Sequence, residues 1–155
     1  MHSDMNTTEE ITYRKMSSDD IKDIYELVYE LAIFEKEPDA MVAKIADYYT
    51  AFESGLIDGS VAVSNEEVIG MTVYYMTFST WKGNCLYLED FYVKDAYRKF
   101  GIGQVLFDAY ISDAKSKNCA MCKWQVLDWN SVGLNFYDKN NAIIEKNWWN
   151  GKIFF

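Results

Sequence analysis

The chain has 155 residues, 50% of them hydrophobic and 17% aromatic, with a formal net charge of −9 at pH 7. That length suits one domain, and that much apolar material is enough for a core and argues against a disordered chain. The negative balance repels phosphate backbones, which argues against nucleic acid as a partner and favours cationic small molecules.

Residues 1–10 are polar and acidic and read as a flexible tail ahead of a single domain filling the rest of the chain. They lack the apolar centre of a signal peptide. The longest uncharged stretch, residues 68–81, is too short to cross a bilayer and is rich in β-formers, so a cytoplasmic chain is expected. Residues 11–14 read as a first strand, and Ser17-Ser18-Asp19-Asp20 offers a helix cap with an acidic first turn. Ile21, Ile24, Tyr25, Val28, Leu31 and Ala32 recur at helical spacing, so a first helix runs to about Phe34. Pro38 interrupts it, and a second helix is expected over residues 39–52, with Gly55 just beyond.

The period then shortens. Residues 60–64, 68–78 and 84–93 read as strands, turning at Asn65-Glu66-Glu67 and Lys82-Gly83. A helix over residues 101–117 points Val105, Leu106, Ala109 and Tyr110 inward. A strand at 120–127, a short helix at 131–139 and a closing hairpin of 142–147 with 152–155 around Asn150-Gly151 complete the chain. The order β-α-α-β-β-β-α-β-α-β-β describes an α/β fold, a mixed sheet with helices on both faces.

The only histidine, His2, lies in the tail, which removes Ser–His–Asp, Cys–His and His-rich metal mechanisms. Cys119-x-x-Cys122 has no second ligand pair for zinc, so Cys85, Cys119 and Cys122 read as buried thiols and no metal is expected. Proton transfer is left to carboxylate, tyrosine, lysine or water.

One segment carries a ligand signal. The apolar strand Leu86-Tyr87-Leu88-Glu89-Asp90-Phe91-Tyr92-Val93 runs through a short loop into Arg98-Lys99-Phe100-Gly101-Ile102-Gly103 and a helix. Glycine allows close backbone approach, and a helix N-terminus presents N–H groups with the positive end of its dipole. Together they suit a pyrophosphate, and Arg98 and Lys99 add positive charge. A P-loop fails because Gln104 follows Gly103. A dinucleotide fingerprint would want a small residue at Leu106.

Arg98-x-x-Gly101-Ile102-Gly103 after a strand resembles the acetyl-CoA signature of the GNAT acetyltransferases, and the order of elements is similar to that fold. Leu88-Glu89-Asp90-Phe91-Tyr92-Val93 with Tyr97-Arg98, and Asp128-Trp129-Asn130 with Asn135-Phe136-Tyr137, resemble the spermidine/spermine branch. Ser79-Thr80-Trp81-Lys82-Gly83 and Val126-Leu127-Asp128-Trp129-Asn130 are more similar to its thialysine-acetylating members.

The resemblance implies acetyl-CoA in a splay between the fourth and fifth strands. Its pantetheine arm would lie on Phe91, Tyr92 and Val93, and its pyrophosphate on Arg98, Lys99, Phe100, Gly101, Ile102, Gly103 and Gln104. Asn130 would contact the same arm. A primary amine with a lysine-like pKa of about 10.4 is almost fully protonated at neutral pH and must lose a proton before it attacks. Glu89 matches the family's proton acceptor and also a substrate contact, while Tyr137 matches the general acid for the departing thiolate. Phe34, Glu35 and Trp81 match substrate contacts, and Asp90 is read as structural.

Three departures stand out. Ser79 replaces the aspartate of polyamine-acetylating relatives, Lys99 a glycine of the signature loop, and Asn141 a glycine after the last helix. The implied protein is a homodimeric N-acetyltransferase for a small cationic amine: thialysine-like, a diamine or a polyamine. The alternatives are an enzyme for another amine, such as an antibiotic or a protein N-terminus, and a non-catalytic acyl-CoA-binding regulator.

Overall fold

The computed structural model describes residues 10–155, so the expected tail and His2 lie outside the described residues, apart from Glu10. The described chain falls into two compact units, the first ending at Gln125 and the second running from Val126 to Phe155.

The first unit is a sheet in the order β1-β2-β3-β4-β5. Its strands are β1 (Ile11–Lys15), β2 (Asp58–Ser64), β3 (Glu67–Ser79), β4 (Gly83–Val93) and β5 (Met121–Trp124). The first four pair antiparallel, and β5 joins β4 in parallel at the edge. Helices α1 (Ile21–Phe34) and α2 (Ile45–Glu53) precede β2, and α3 (Ile102–Ser116) connects β4 to β5.

Helices cover both faces, as the alternation of strand residues demands. Val61, Met71 and Val73 face α1, where Ile21, Ile24 and Leu27 meet them. Their neighbours Ala62 and Ile69 face α3 and pack on Ile102 and Leu106. Before α1, Asp20 accepts the Ser17 N–H at 2.7 Å and both Arg14 nitrogens at 2.7 and 3.0 Å. Asn65 and Glu66 turn β2 into β3, both at positive φ, as the tightest hairpin turns require. On the α3 face, Lys15 Nζ donates to Asp58 at 2.6 Å, to Asp113 at 3.1 Å and to the Tyr74 hydroxyl at 2.9 Å. Tyr74 in turn donates to Asp113 at 2.6 Å, tying three strands to α3.

Two elements, α2 and β5, differ most in extent from the sequence reading. Pro38–Ala40 is a single 3-10 turn, and α2 starts only at Ile45. Lys44 is extended, and its N–H donates to Asp47 at 2.8 Å, so the carboxylate starts the helix there. Strand β5 is four residues, not the eight expected from residues 120–127.

In the second unit, α4 (Ser131–Lys139) is the expected short helix. The closing hairpin does not form: residues 142–155 take no regular structure. Two short strands make a marginal hairpin unless a further strand supports them. Here Ile143, Trp148, Trp149, Ile153 and Phe154 are all exposed instead. The chain order is therefore β-α-α-β-β-β-α-β-α. Asn141 after α4 takes φ 62°, the left-handed conformation that asparagine tolerates in place of glycine.

Candidate active site

The register between β3 and β4 slips at one point. Tyr75 pairs with Tyr87 and Tyr74 with Leu88, but Val73 pairs with Asp90. Glu89 is thus the extra residue of a β-bulge, and a bulge breaks the rule that neighbours point to opposite faces. Asp90 lies opposite Val73, which faces α1. Glu89 faces the same way, because Tyr75 donates its hydroxyl to Glu89 Oε1 at 2.8 Å.

Two consecutive carboxyls therefore share one face, and Glu35 at the C-cap of α1 joins them. Burial first, then Glu89 and Glu35, push Asp90 up to about 7. Burial also raises Glu35. Among the described residues no ion pair reaches any of the three. Tyr48 of α2 borders the group, its hydroxyl raised by burial and then by Asp90. Tyr75 and Tyr87 stack with ring centroids 5.4 Å apart.

Beyond this face β4 loses its neighbour. Strand β5 pairs only with Cys85, Leu86, Tyr87 and Leu88, so the β4 edge from Glu89 to Val93 is left open on that side. Phe91, Tyr92 and Val93 line this notch, and the chain then turns into α3. Lys99 and Gly101 both take left-handed backbone, with φ 76° and 77°. A Cβ on Gly101 would meet nothing within 4 Å, so the space above it is open and the backbone angle is what calls for glycine. Gly103 lies against Phe91, whose ring a Cβ would touch at 3.5 Å. Ile102, Gly103 and Gln104 form the first turn of α3, where helical N–H groups point outward. The notch, the turn and the helix end are the parts a pantetheine arm and a pyrophosphate require.

Other expected site residues are distributed less simply. Arg98 Nε donates to the Val93 carbonyl at 3.0 Å, and its guanidinium lies 5.4 Å from the Tyr92 ring and 5.8 Å from that of Phe34. Phe34 thus belongs with Arg98, and Glu35, one residue later, with Asp90. Phe100 is exposed beside Gly101. Trp81 occupies the tip of the β3–β4 hairpin and is 81% exposed. Six strand residues separate it from Glu89, about 20 Å along β4, so the structure does not bring these two together. Ser79 is engaged in the same tip, its Oγ accepting the N–H groups of Trp81 and Lys82 at 3.3 and 3.1 Å.

In the second unit Asn130 caps α4, its Oδ1 accepting the Gly133 N–H at 3.0 Å. Tyr137 is buried, its ring 5.6 Å from and nearly perpendicular to that of Phe136. Cys85, Cys119 and Cys122 are free thiols, with Cys85 alone fully buried. No group of metal-ligating side chains occurs among the described residues.

The sequence reading missed Tyr48, Tyr75 and Tyr87, and took Asp90 only as structural. A signal was available. Leu86, Leu88 and Phe91 share the α3 face, where Tyr110 donates its hydroxyl to the Leu86 carbonyl and Phe107 stacks on Phe91. The step of three from Leu88 to Phe91 breaks the period of two and marks the bulge.

The pattern of the acetyltransferase (GNAT) family matches residues 19–142. This chain belongs to that family and is an acetyltransferase. It is 34% identical over 137 residues to a thialysine N-epsilon-acetyltransferase of Bos taurus, covering 82% of this chain and 81% of that one. It is 30% identical over 141 residues to the human spermidine/spermine N(1)-acetyltransferase-like protein 1, covering 84% of this chain and 20% of the larger protein. The fold is shared with a predicted acetyltransferase of Clostridium acetobutylicum solved with acetyl-CoA. That match has a TM-score of 0.80 at 18% identity, over 92% of this chain and 96% of that one. No helix among the described residues is long and apolar enough to cross a membrane.

Proposed function

We propose that this GNAT acetyltransferase is a cytoplasmic enzyme that transfers acetyl from acetyl-CoA to the primary amine of a small cationic substrate, a thialysine-like amine, a diamine or a polyamine. The observation that carries the reading is the group Glu35, Glu89 and Asp90: three carboxyls on one face that no ion pair reaches among the described residues. Gathering like charges around a largely buried carboxyl is costly unless a ligand compensates them. A protonated amine does so.

The open β4 edge and the left-handed turn at Lys99 and Gly101 fit acetyl-CoA. Phe91, Tyr92 and Val93 would hold its pantetheine arm, residues 98–104 its pyrophosphate, and Asn130 a further part of the arm. When bound, acetyl-CoA supplies a thioester carbonyl open to a neutral amine. Glu89 accepts the ammonium proton on a carboxylate oxygen and releases the nitrogen lone pair. Tyr137 holds on its hydroxyl the proton for the departing sulfur. Glu35 and Phe34 border the amine, whereas Trp81, about 20 Å from Glu89 along β4, drops out of the contacts expected for a small amine. The names of the relatives support amines of this class, and Ser79 in place of aspartate argues against spermine as the best of them. A homodimer completes the reading, and the exposed Trp148, Trp149, Phe154 and Phe155 are surface that a second copy would cover.

The test is thiol release from acetyl-CoA across thialysine, putrescine, spermidine, spermine and an aromatic amine uncharged at pH 7. The cationic amines should lead, with spermine not the best. A leading uncharged amine would overturn the substrate class, and no thiol release with any amine would overturn the reading as a whole.

A further inference from the structure

We propose that Tyr75 is a positioning residue: its hydroxyl sets the carboxylate of Glu89, and so the direction in which the amine gives up its proton. This rests on Glu89 being the proton acceptor. As the extra residue of the bulge, Glu89 has no partner across the ladder to restrict it. Its side chain is exposed and has three rotatable bonds. The Tyr75 hydroxyl, 2.8 Å from Oε1, is the hydrogen-bond partner the structure gives that carboxylate.

Tyr75 is itself well held. Its backbone sits in register opposite Tyr87 on the inner part of the sheet, and its ring stacks on that of Tyr87 at 28°. The hydroxyl is thereby fixed relative to β4, and Glu89 is fixed through it. The direction of donation is fixed as well. Burial first, and then Glu89, raise the Tyr75 hydroxyl far above physiological pH, so it stays protonated and donates, while an ionised carboxylate only accepts. With Oε1 occupied, Oε2 is free to face the ammonium. The N–H bond breaks, the proton goes to Oε2, and the electron pair stays on nitrogen. Water removes the proton from Glu89 afterwards.

Tyr75→Phe keeps the stacked ring and deletes only the donor. One charge-assisted hydrogen bond predicts a fall in kcat of about 5- to 10-fold with little change in KM for acetyl-CoA. The deciding measurement is the cycle with Glu89→Gln. Once Glu89 no longer accepts the proton, adding Tyr75→Phe should change kcat by less than about twofold. Any general loss of folded protein is common to both backgrounds and cancels. If Tyr75→Phe leaves kcat unchanged, or lowers it equally with and without Glu89, the positioning role is wrong. If Glu89→Gln alone turns over like the wild type, it is the assignment of the proton acceptor that fails.

Discussion

Two groups of carboxylates and tyrosines lie on opposite faces of one sheet, and they are solved differently. On the α3 face, Asp58 and Asp113 close around Lys15, and Tyr74 completes the group. Burial raises Asp113, but the bonds from Tyr74, Lys15 and Lys117 outweigh it and hold its carboxyl below the usual range. On the α1 face, Glu35, Glu89 and Asp90 meet Tyr48 and Tyr75 with no ion pair to a lysine or arginine among the described residues, and Asp90 is pushed up to about 7. The first arrangement serves the fold. The second leaves its carboxyls uncompensated among the described residues, and the proposed cationic amine would supply the charge that balances them.

Removing the working carboxylate should have the largest effect. Glu89→Gln is expected to lower kcat/KM at pH 7 by about 10²-fold or more and to move the rate–pH curve upward, because the enzyme must then wait for neutral amine. Tyr137→Phe should lower kcat by a similar factor with little change in KM, if its hydroxyl serves the leaving sulfur. Steady-state kinetics across pH checks both, and an unshifted profile for Glu89→Gln would break the contrast between the two faces.

The structural face should respond in stability instead. Lys15→Met leaves Asp58 and Asp113 facing each other and should cost about 1–2 kcal/mol, a modest figure because the lysine is half exposed. Urea unfolding measures this, and turnover should be retained. A kcat loss comparable to that of Glu89→Gln would mean that the two faces are not separate in role.

Asp90 should show the opposite sign. Its folded pKa of about 7 lies above the ordinary aspartate value. The native state therefore holds the proton more tightly, and this contribution is full below about pH 4 and lost as pH rises through about 7. Asp90→Asn should match the wild type near pH 4 and exceed it by about 1–2 kcal/mol at pH 8. Thermal melts at the two pH values check this, and a variant less stable at pH 8 would show that Asp90 is compensated after all.

Much of this was legible in the sequence. The helix from Ile21 to Phe34 and the short helix from Ser131 to Lys139 follow from apolar spacing and capping residues, because local periodicity fixes them. The signature loop was readable as two glycines between a strand and a helix, and the structure adds that Gly101 takes a left-handed turn that constrains residue type. Lys99 shows that the constraint can be overridden at a cost of about 1 kcal/mol. The closing hairpin was misread because residues 142–155 have β-forming composition, whereas a strand needs a partner that composition does not reveal. Tyr75 was missed, and Asp90 taken only as structural, because the slip that brings Glu89 and Asp90 to one face beside Tyr75 is a one-residue change of register between strands, a tertiary fact recorded in the sequence only as the step from Leu88 to Phe91.

The most direct measurement follows the aspartate carboxyl carbons by NMR across pH, with and without thialysine. Asp90 is expected to titrate near 7 in the free protein and to fall once the cationic amine is bound. A midpoint near the ordinary value of about 4, unmoved by the amine, would contradict the claim that these carboxyls lack a cation and that the substrate supplies it.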